Sequence, residues 1–229
     1  MLFYLILRGL DTVEDDMTIP IEKKDKMLRE FHTYLDTPGW NFTESKEPYG
    51  TGITVDGPNE ADRQLLVEFD VVIKEFGEIN ETYRVVIKDI TKRMGNGMAD
   101  YANNAAHNLY GVDTLADFDM YCYYVAGLVG EGLTRLFIAS GKENPKLTEA
   151  HDLYPLALME ALISRAYSMG LFLQKTNIIR DYREDLDDKR RFWPKEVWSK
   201  YAKDLADFAD PKNMDAVSLG SLAILISRH

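Results

Sequence analysis

The sequence has a single cysteine, no excess of basic charge and no long apolar run. Because Cys122 stands alone among 229 residues, an intrachain disulfide and a metal site built from several cysteines are both excluded. Lys and Arg number 27 against 38 Asp and Glu, a formal net charge of −11, which argues against a protein that coats nucleic acid. No stretch approaches the roughly 20 apolar residues of a membrane-spanning helix. Neither a P-loop nor a Rossmann glycine motif is present, so no motif indicates nucleotide binding.

Apolar residues recur at helical spacing through most of the chain, and alternating strand patterns are scarce. Proline and glycine cluster in residues 37–59, and a polar stretch covers residues 141–155, so both are predicted loops. The fold class is therefore predicted to be all-α. We expect helices at residues 1–17, 21–36, 61–76, 79–106 with an interruption at Gly95 and Gly97, 115–139, 156–186 and 194–208.

The five-residue pattern D-x-x-E-D occurs twice, about 170 residues apart. The first copy provides Asp11, Glu14 and Asp15, and the second provides Asp181, Glu184 and Asp185. Positions i, i+3 and i+4 share one helix face, where like charges repel. Hard divalent cations suit carboxylate oxygens, and Mg²⁺ commonly adds substrate phosphate oxygens to one or two carboxylates. Two such helices facing each other would form a magnesium-diphosphate clamp.

A solvated helix face is the ordinary explanation of a single acidic run, and the repetition of the pattern weakens that explanation here. Each copy also follows an apolar segment with an arginine, Arg8 before the first and Arg180 before the second. For Asp16, Asp187 and Asp188, which lie outside the pattern, we keep the solvated-face interpretation.

Two further segments combine polar groups with small or apolar residues. Residues 121–130 hold three tyrosines followed by Gly127 and Gly130, which indicates close helix packing or room for an apolar ligand. A buried tyrosine there can exchange a proton, although a core aromatic is the commoner role. Upstream of the second motif, Gln174 and Asn177 form a polar stripe with Asp181, which indicates a lined cavity or a buried polar network.

Four segments together closely resemble squalene synthases (farnesyl-diphosphate farnesyltransferases), most of all the fungal ones. They are L-R-G-L-D-T-V-E-D-D-M at residues 7–17, R-M-G-N-G-M-A at 93–99, the tyrosine segment 121–132, and residues 169–185 with F-W-P at 192–194. The resemblance covers most of residues 1–208. It implies an isoprenoid synthase helical bundle of the head-to-head prenyltransferase type.

The resemblance also implies a reaction in sterol biosynthesis, with a transferase activity. Two farnesyl diphosphates would condense to presqualene diphosphate, and reduction by NADPH would then give squalene. By the same resemblance, the six carboxylates of the two motifs hold diphosphate through Mg²⁺, Tyr121 is the acid/base candidate, and Arg8, Gln174, Asn177 and Arg180 contact the substrate. A monomer at the endoplasmic reticulum membrane is expected for the full-length family.

Departures from the family pattern lead to further expectations. We expect the chain to be incomplete at both ends, with a domain at residues 1–208, a non-family insertion near residues 151–167, and a tail of uncertain structure at residues 209–229. Two alternatives stay open. One is a phytoene-synthase-like head-to-head condensation without NADPH, and the other is a catalytically inactive helical fragment or scaffold.

Overall fold

The computed structural model describes residues 1–16, 18–44, 60–102, 111–141, 155–187 and 190–226. The chain separates into two compact units. The first comprises Met1–Asn103 with Arg135–Lys142, and the second comprises Asn104–Thr134 with Glu143–His229. Within the described residues every regular element is helical, which confirms the predicted all-α fold.

Five helices make up most of the first unit. They are α1 (Leu2–Asp15), α2 (Ile21–Tyr34), α3 (Glu60–Val67), α4 (Phe69–Glu78) and α5 (Glu81–Ala102). Helix α1 packs against the other four. The helix predicted at 61–76 is two helices, because the chain turns at Glu68.

Helix α1 is amphipathic, and its apolar face is the reason it lies in the core. Ile6, Leu10 and Val13 recur at intervals of three and four residues and are fully buried. The carboxyl end of the helix is fixed by Lys24, whose Nζ lies 2.6 Å from the carbonyl oxygen of Glu14. A cation there satisfies a terminal carbonyl and complements the negative end of the helix dipole. The segment that carries the first acidic motif is thus held at its end as well as along its buried side.

Helix α5 runs without a break through Gly95 and Gly97, so the predicted interruption is wrong. Gly95 is there because α2 approaches closely: a Cβ at this position would lie 2.2 Å from the carbonyl oxygen of Leu28. The neighbouring Met94 and Met98 are buried in the core.

The second unit contains helices α6 (Leu115–Cys122), α8 (Pro155–Arg180), α9 (Tyr182–Asp187), α10 (Lys195–Trp198) and α11 (Met214–Ile226). Helix α7 (Leu128–Ser140) begins among the residues of this unit and ends among those of the first. The prediction of one helix over residues 194–208 is wrong over most of that length. The structure has only α10 and a 3₁₀ turn at Leu205–Ala209 there. Residues of the predicted tail form a second 3₁₀ turn, Pro211–Asn213, and α11.

A π-helical turn, Tyr123–Gly127, separates α6 from α7. The glycines around it allow helix α8 to come close. A Cβ at Gly130 would lie 2.7 Å from the carbonyl oxygen of Ala166, and one at Gly170 would lie 2.7 Å from that of Ala126. Of the two explanations offered for these glycines, close helix packing is therefore the one that the structure shows.

Trp193 is the centre of an aromatic cluster in the second unit. Its side chain is 2% exposed and makes edge-to-face contacts with Tyr182 and Phe208 at centroid distances of 5.6 and 5.5 Å. The indole nitrogen donates to the carbonyl oxygen of Ile178 at 3.3 Å, and the Tyr182 hydroxyl donates to that of Leu205 at 2.7 Å. The cluster joins the end of α8 to the segment that follows α9.

Among the helices that the structure describes, none is both long enough and apolar enough to cross a membrane.

Candidate functional site

The first acidic motif lies on the last two turns of α1, next to a three-membered ion-pair network. Arg8 binds Asp62 of α3 with two nitrogens, at 3.0 Å through Nε and 2.6 Å through Nη2. Its third nitrogen lies 2.6 Å from Asp11. Bidentate arginine–carboxylate hydrogen bonds are strong and directional. Arg8 is therefore held over the motif by a residue more than fifty positions away in the chain.

Asp11 is electrostatically unusual. Burial and then the negative charge of Asp15 raise the pKa of Asp11 to about 6, although the Arg8 guanidinium opposes the shift. The Asp11 side chain nevertheless keeps 33% of its surface exposed. A half-buried carboxylate repelled by a neighbouring carboxylate is a group whose charge a bound cation would stabilise. Asp11 and Asp15 thus fit a hard divalent ion, while Glu14 is half-buried beside them.

The solvated-face interpretation is wrong for Asp16. Its side chain is 1% exposed and accepts hydrogen bonds from the backbone nitrogen and the hydroxyl of Thr18, at 2.8 and 2.6 Å. These bonds form a turn that ends α1. For Asp187 the interpretation is confirmed, since this exposed residue pairs with Arg183 at 3.2 Å. Asp188 lies outside the described residues.

In the second motif the three carboxylates have different surroundings. Asp181 receives two contacts from Arg180, at 2.6 and 2.8 Å. Asp185 is 8% exposed and lies 3.3 Å from the guanidinium of Arg190, and Glu184 is exposed. Asp181 and Asp185 therefore already have cationic neighbours, and a metal ion at Asp185 would have to compete with Arg190.

The backbone continues helically through this motif despite the turn between α8 and α9. The Asp181 nitrogen donates to the Asn177 carbonyl at 2.8 Å, and the Asp185 nitrogen donates to the Asp181 carbonyl at 2.9 Å. The i, i+4 spacing on which the prediction rested is thus present. Gln174 and Asn177 are both half-buried on α8.

No group of three or more His, Cys, Asp or Glu side chains suitable for a metal ion occurs within the described ranges. A cation at either motif would therefore need ligands from elsewhere. Mg²⁺ usually keeps several waters and takes phosphate oxygens from its substrate. The two motifs lie in different units, and their predicted facing arrangement stays a prediction.

Tyr121 lies at the end of α6 and is 5% exposed. Its ring stacks on Phe192, with centroids 5.2 Å apart and planes inclined by 19°. The π-helical turn begins two residues later. Such turns occur frequently at functional sites. The surroundings are compatible with a proton-transferring phenol held in one orientation.

Several charged residues that the sequence did not indicate lie beside the two motifs or between α6 and α8. Asp62 is the partner of Arg8, Arg190 is the partner of Asp185, and Lys175 of α8 lies 2.6 Å from Asp119 of α6. A signal for Lys175 was present: it is four residues after the buried Leu171 and three before the buried Ile178, on the apolar face of its helix. No comparable signal pointed to Asp62.

These features define an all-α protein with acidic, arginine-flanked motifs near helix ends and a buried tyrosine. The model of the squalene/phytoene synthase family matches residues 1–228. A probable squalene synthase of Neurospora crassa is 53% identical over 214 residues, which cover 93% of this chain and 40% of that protein. The squalene synthase of Schizosaccharomyces pombe is 53% identical over 216 residues, covering 94% of this chain and 42% of the relative. This chain belongs to the squalene/phytoene synthase family.

A solved structure agrees with this assignment. The complex of TcSQS with the ligand BPH1237 matches at a TM-score of 0.78 and 40% identity, over 97% of this chain and 57% of the other. Compared with the curated relatives named above, the chain spans about two fifths of their length. The resemblance stated from the four sequence segments is confirmed at the level of the family.

Proposed function

We propose that this chain forms part of a squalene synthase, which joins two farnesyl diphosphates through presqualene diphosphate and reduces the product to squalene. The observation that carries the proposal is the identity of about one half with fungal proteins named squalene synthase over more than nine tenths of the chain. The same relatives favour this reaction over a condensation that stops before reduction.

Asp11 and Asp15 are the proposed cation ligands of the first motif, with Glu14 beside them. Their mutual repulsion supports the assignment, because an incoming Mg²⁺ would remove a cost that the folded chain otherwise carries. When bound, Mg²⁺ would neutralise diphosphate charge as the leaving group departs. Arg8 lies 2.6 Å from Asp11 and is proposed to add a second positive group on the same side.

In the second unit, Asp181, Glu184 and Asp185 are the proposed ligands of the second motif, with Arg180, Gln174 and Asn177 as substrate contacts. Arg180 is exposed and pairs with Asp181, so an arriving diphosphate can take over one of its hydrogen-bonding edges. The arginine would then hold the anion while Asp181 is released toward the cation.

Tyr121 is the proposed acid/base group. Its burial and its stacking on Phe192 restrict the ring, so the hydroxyl is presented in one direction and largely away from bulk water. Excluding water matters for a prenyl carbocation, because water would capture it as an alcohol. A phenol is a weak enough acid to hold its proton at neutral pH and give it up only to a strong local base.

NADPH, a monomeric state and a location at the endoplasmic reticulum membrane are proposed from the family resemblance alone. No described residue is assigned to NADPH. The reduction to squalene therefore needs its own comparison, with and without NADPH, in the activity assay.

The proposal is tested by incubating the protein with farnesyl diphosphate and Mg²⁺, with and without NADPH, and identifying products by mass spectrometry. Squalene that forms only when NADPH and Mg²⁺ are both present supports it in full. Presqualene diphosphate alone would restrict the chain to the first half-reaction, as expected for a condensation without reduction. Farnesol-type alcohols alone would mean that one farnesyl diphosphate loses its diphosphate and is captured by water without condensation. A folded, helical sample that makes no product would favour an inactive scaffold.

Substrate binding separates the acidic-motif assignment from turnover. Asp181→Ala is expected to weaken Mg²⁺-dependent binding of farnesyl diphosphate at least tenfold, because a proposed ligand is removed. Asp187→Ala is the matched control, since Asp187 is exposed, ends the short helix α9 that follows Asp181 and pairs with Arg183 one helical turn earlier. Isothermal titration with and without a chelator gives the readout, and equal binding in chelator would contradict the clamp.

A further inference from the structure

A buried ion pair connects two helices of the second unit. Lys175 Nζ of α8 lies 2.6 Å from Asp119 Oδ1 of α6. The two side chains are only 4% and 12% exposed, whereas Arg8, Arg135 and Arg191 keep 37%, 26% and 20% of their side chains exposed in their own ion pairs. The Phe118 ring centroid lies 6.0 Å from the ammonium, and the Cys122 thiol is close enough to both charges to interact with them electrostatically.

Stability alone is a poor explanation for such a pair. Removing two charges from water costs several kcal/mol per ion, and their attraction inside the protein only roughly offsets that cost. Replacing a buried pair by apolar residues of similar volume is often neutral or stabilising. What an ion pair can provide, and an apolar contact does not, is a preference for one alignment, because a slip of one helix separates the two charges inside the protein.

The pair lies between two groups of proposed functional residues. Asp119 precedes Tyr121 by two positions in α6, and Lys175 stands between Gln174 and Asn177 in α8. A displacement of α6 along α8 by a fraction of a turn would move the phenol relative to the polar stripe. The glycine contacts around the π-helical turn fix how closely the helices approach.

The same region contains a built-in reporter. Cys122 is the sole cysteine of the chain and is fully buried directly after Tyr121. Burial raises the pKa of its thiol to about 12, while Lys175 and Asp119 act on it in opposite directions. The double substitution removes both of these opposing influences, and the reactivity of the buried thiol then reports how often the contact between α6 and α8 opens.

We propose that Lys175 and Asp119 are a positioning pair that fixes the alignment of the Tyr121 helix against the helix bearing Gln174 and Asn177. The catalytic consequence rests on the proposed function, whereas the alignment itself does not. Neither residue is proposed to touch the substrate.

The test uses the double variant Lys175→Met with Asp119→Leu, which fills the site without charge, and the conservative variant Lys175→Arg. The first readout is the rate at which Cys122 reacts with a thiol reagent under native conditions. We expect the double variant to keep its helical circular dichroism while Cys122 reacts about tenfold faster. The arginine variant is expected to retain most of the protection, because it retains the charge.

The second readout is steady-state kinetics on farnesyl diphosphate. The double variant is expected to lose about 10²-fold in kcat with little change in KM, as misplacement of a reacting group by about 1 Å can cause. Lys88→Met with Asp36→Leu is the matched control, a long-range Lys–Asp pair of the first unit with both side chains partly in solvent, and neither rate should change.

Unchanged Cys122 reactivity and unchanged kcat in a folded double variant would overturn the inference. Loss of helical structure in the double variant would overturn it as well, since the pair would then be required for folding itself. If the parent protein makes no product, the proposed function fails, but the reactivity of Cys122 still tests whether the pair holds α6 in place against α8.

Discussion

Gly95 lies on α5 where this helix packs directly against the backbone of α2. The perturbation is Gly95→Ala. The added Cβ would lie 2.2 Å from the carbonyl oxygen of Leu28 and 3.1 Å from its carbonyl carbon. The first distance is about 1.2 Å below the 3.4 Å at which ordinary van der Waals contact begins. Because the obstacle is backbone inside a helix, no side-chain rotation can remove it, and the two helices must separate.

The expected loss follows from two opposing effects. Overpacking of a well-packed interior costs about 1–3 kcal/mol and occasionally more, and a backbone obstacle belongs at the upper end. Alanine in place of glycine in a helix returns up to about 1 kcal/mol. We therefore expect Gly95→Ala to lower the free energy of unfolding of the first unit by roughly 2 kcal/mol. Separation of α2 from α5 would also loosen α1, which packs against both.

Urea unfolding followed by circular dichroism gives the measurement, and Gly77→Ala gives the control. Gly77 belongs to α4 of the same unit, and a Cβ there would meet nothing within 4 Å. This variant should be as stable as the parent or more stable by about 0.4–1 kcal/mol, because alanine reduces the freedom of the unfolded chain. If Gly95→Ala shifts the midpoint no further than Gly77→Ala does, the close-approach explanation of Gly95 is refuted.

Three further predictions concern single side chains. The pKa of Asp11 is raised to about 6 in the folded chain, so the stability that this carboxyl contributes is complete below about pH 4 and is lost as the pH rises through 6. In Asp11→Asn, the urea midpoint of the metal-free protein should therefore change less over this pH range. Thr114→Ala removes the hydroxyl that accepts from the Asp117 nitrogen and should cost about 1 kcal/mol in the same assay. Tyr182→Phe removes the bond to the Leu205 carbonyl and should cost about 0.5–1.5 kcal/mol by thermal unfolding, with a larger loss contradicting a simple hydrogen-bond role.

The helical elements were largely predictable, because their apolar spacing is a local property. Helix α1 and helix α2 lie within two residues of the predicted bounds. The helix predictions were wrong where a residue type can serve either helix formation or tertiary packing. Glycine at 95 weakens a helix in isolation but here allows a close contact, and the segment after Pro194 has apolar residues that serve the cluster around Trp193 rather than a long helix.

The candidate site was predictable only in part. The D-x-x-E-D pattern indicated where carboxylates gather, since spacing along a helix determines which side chains are neighbours. It could not distinguish the buried Asp185 from the exposed Glu184, because burial depends on what packs against the helix. The roles of these residues, of Tyr121 and of the substrate contacts stay predictions.

The sequence by itself determined the all-α class, the family and the two acidic segments, because periodicity and motif order are written along the chain. Tertiary structure alone decided that Arg8 is held by Asp62 and that Lys175 is buried against Asp119. The members of each pair are more than fifty residues apart, and nothing local couples them. Their proximity follows from helix packing, which also sets how much water remains around each charge and hence how strongly the partners interact.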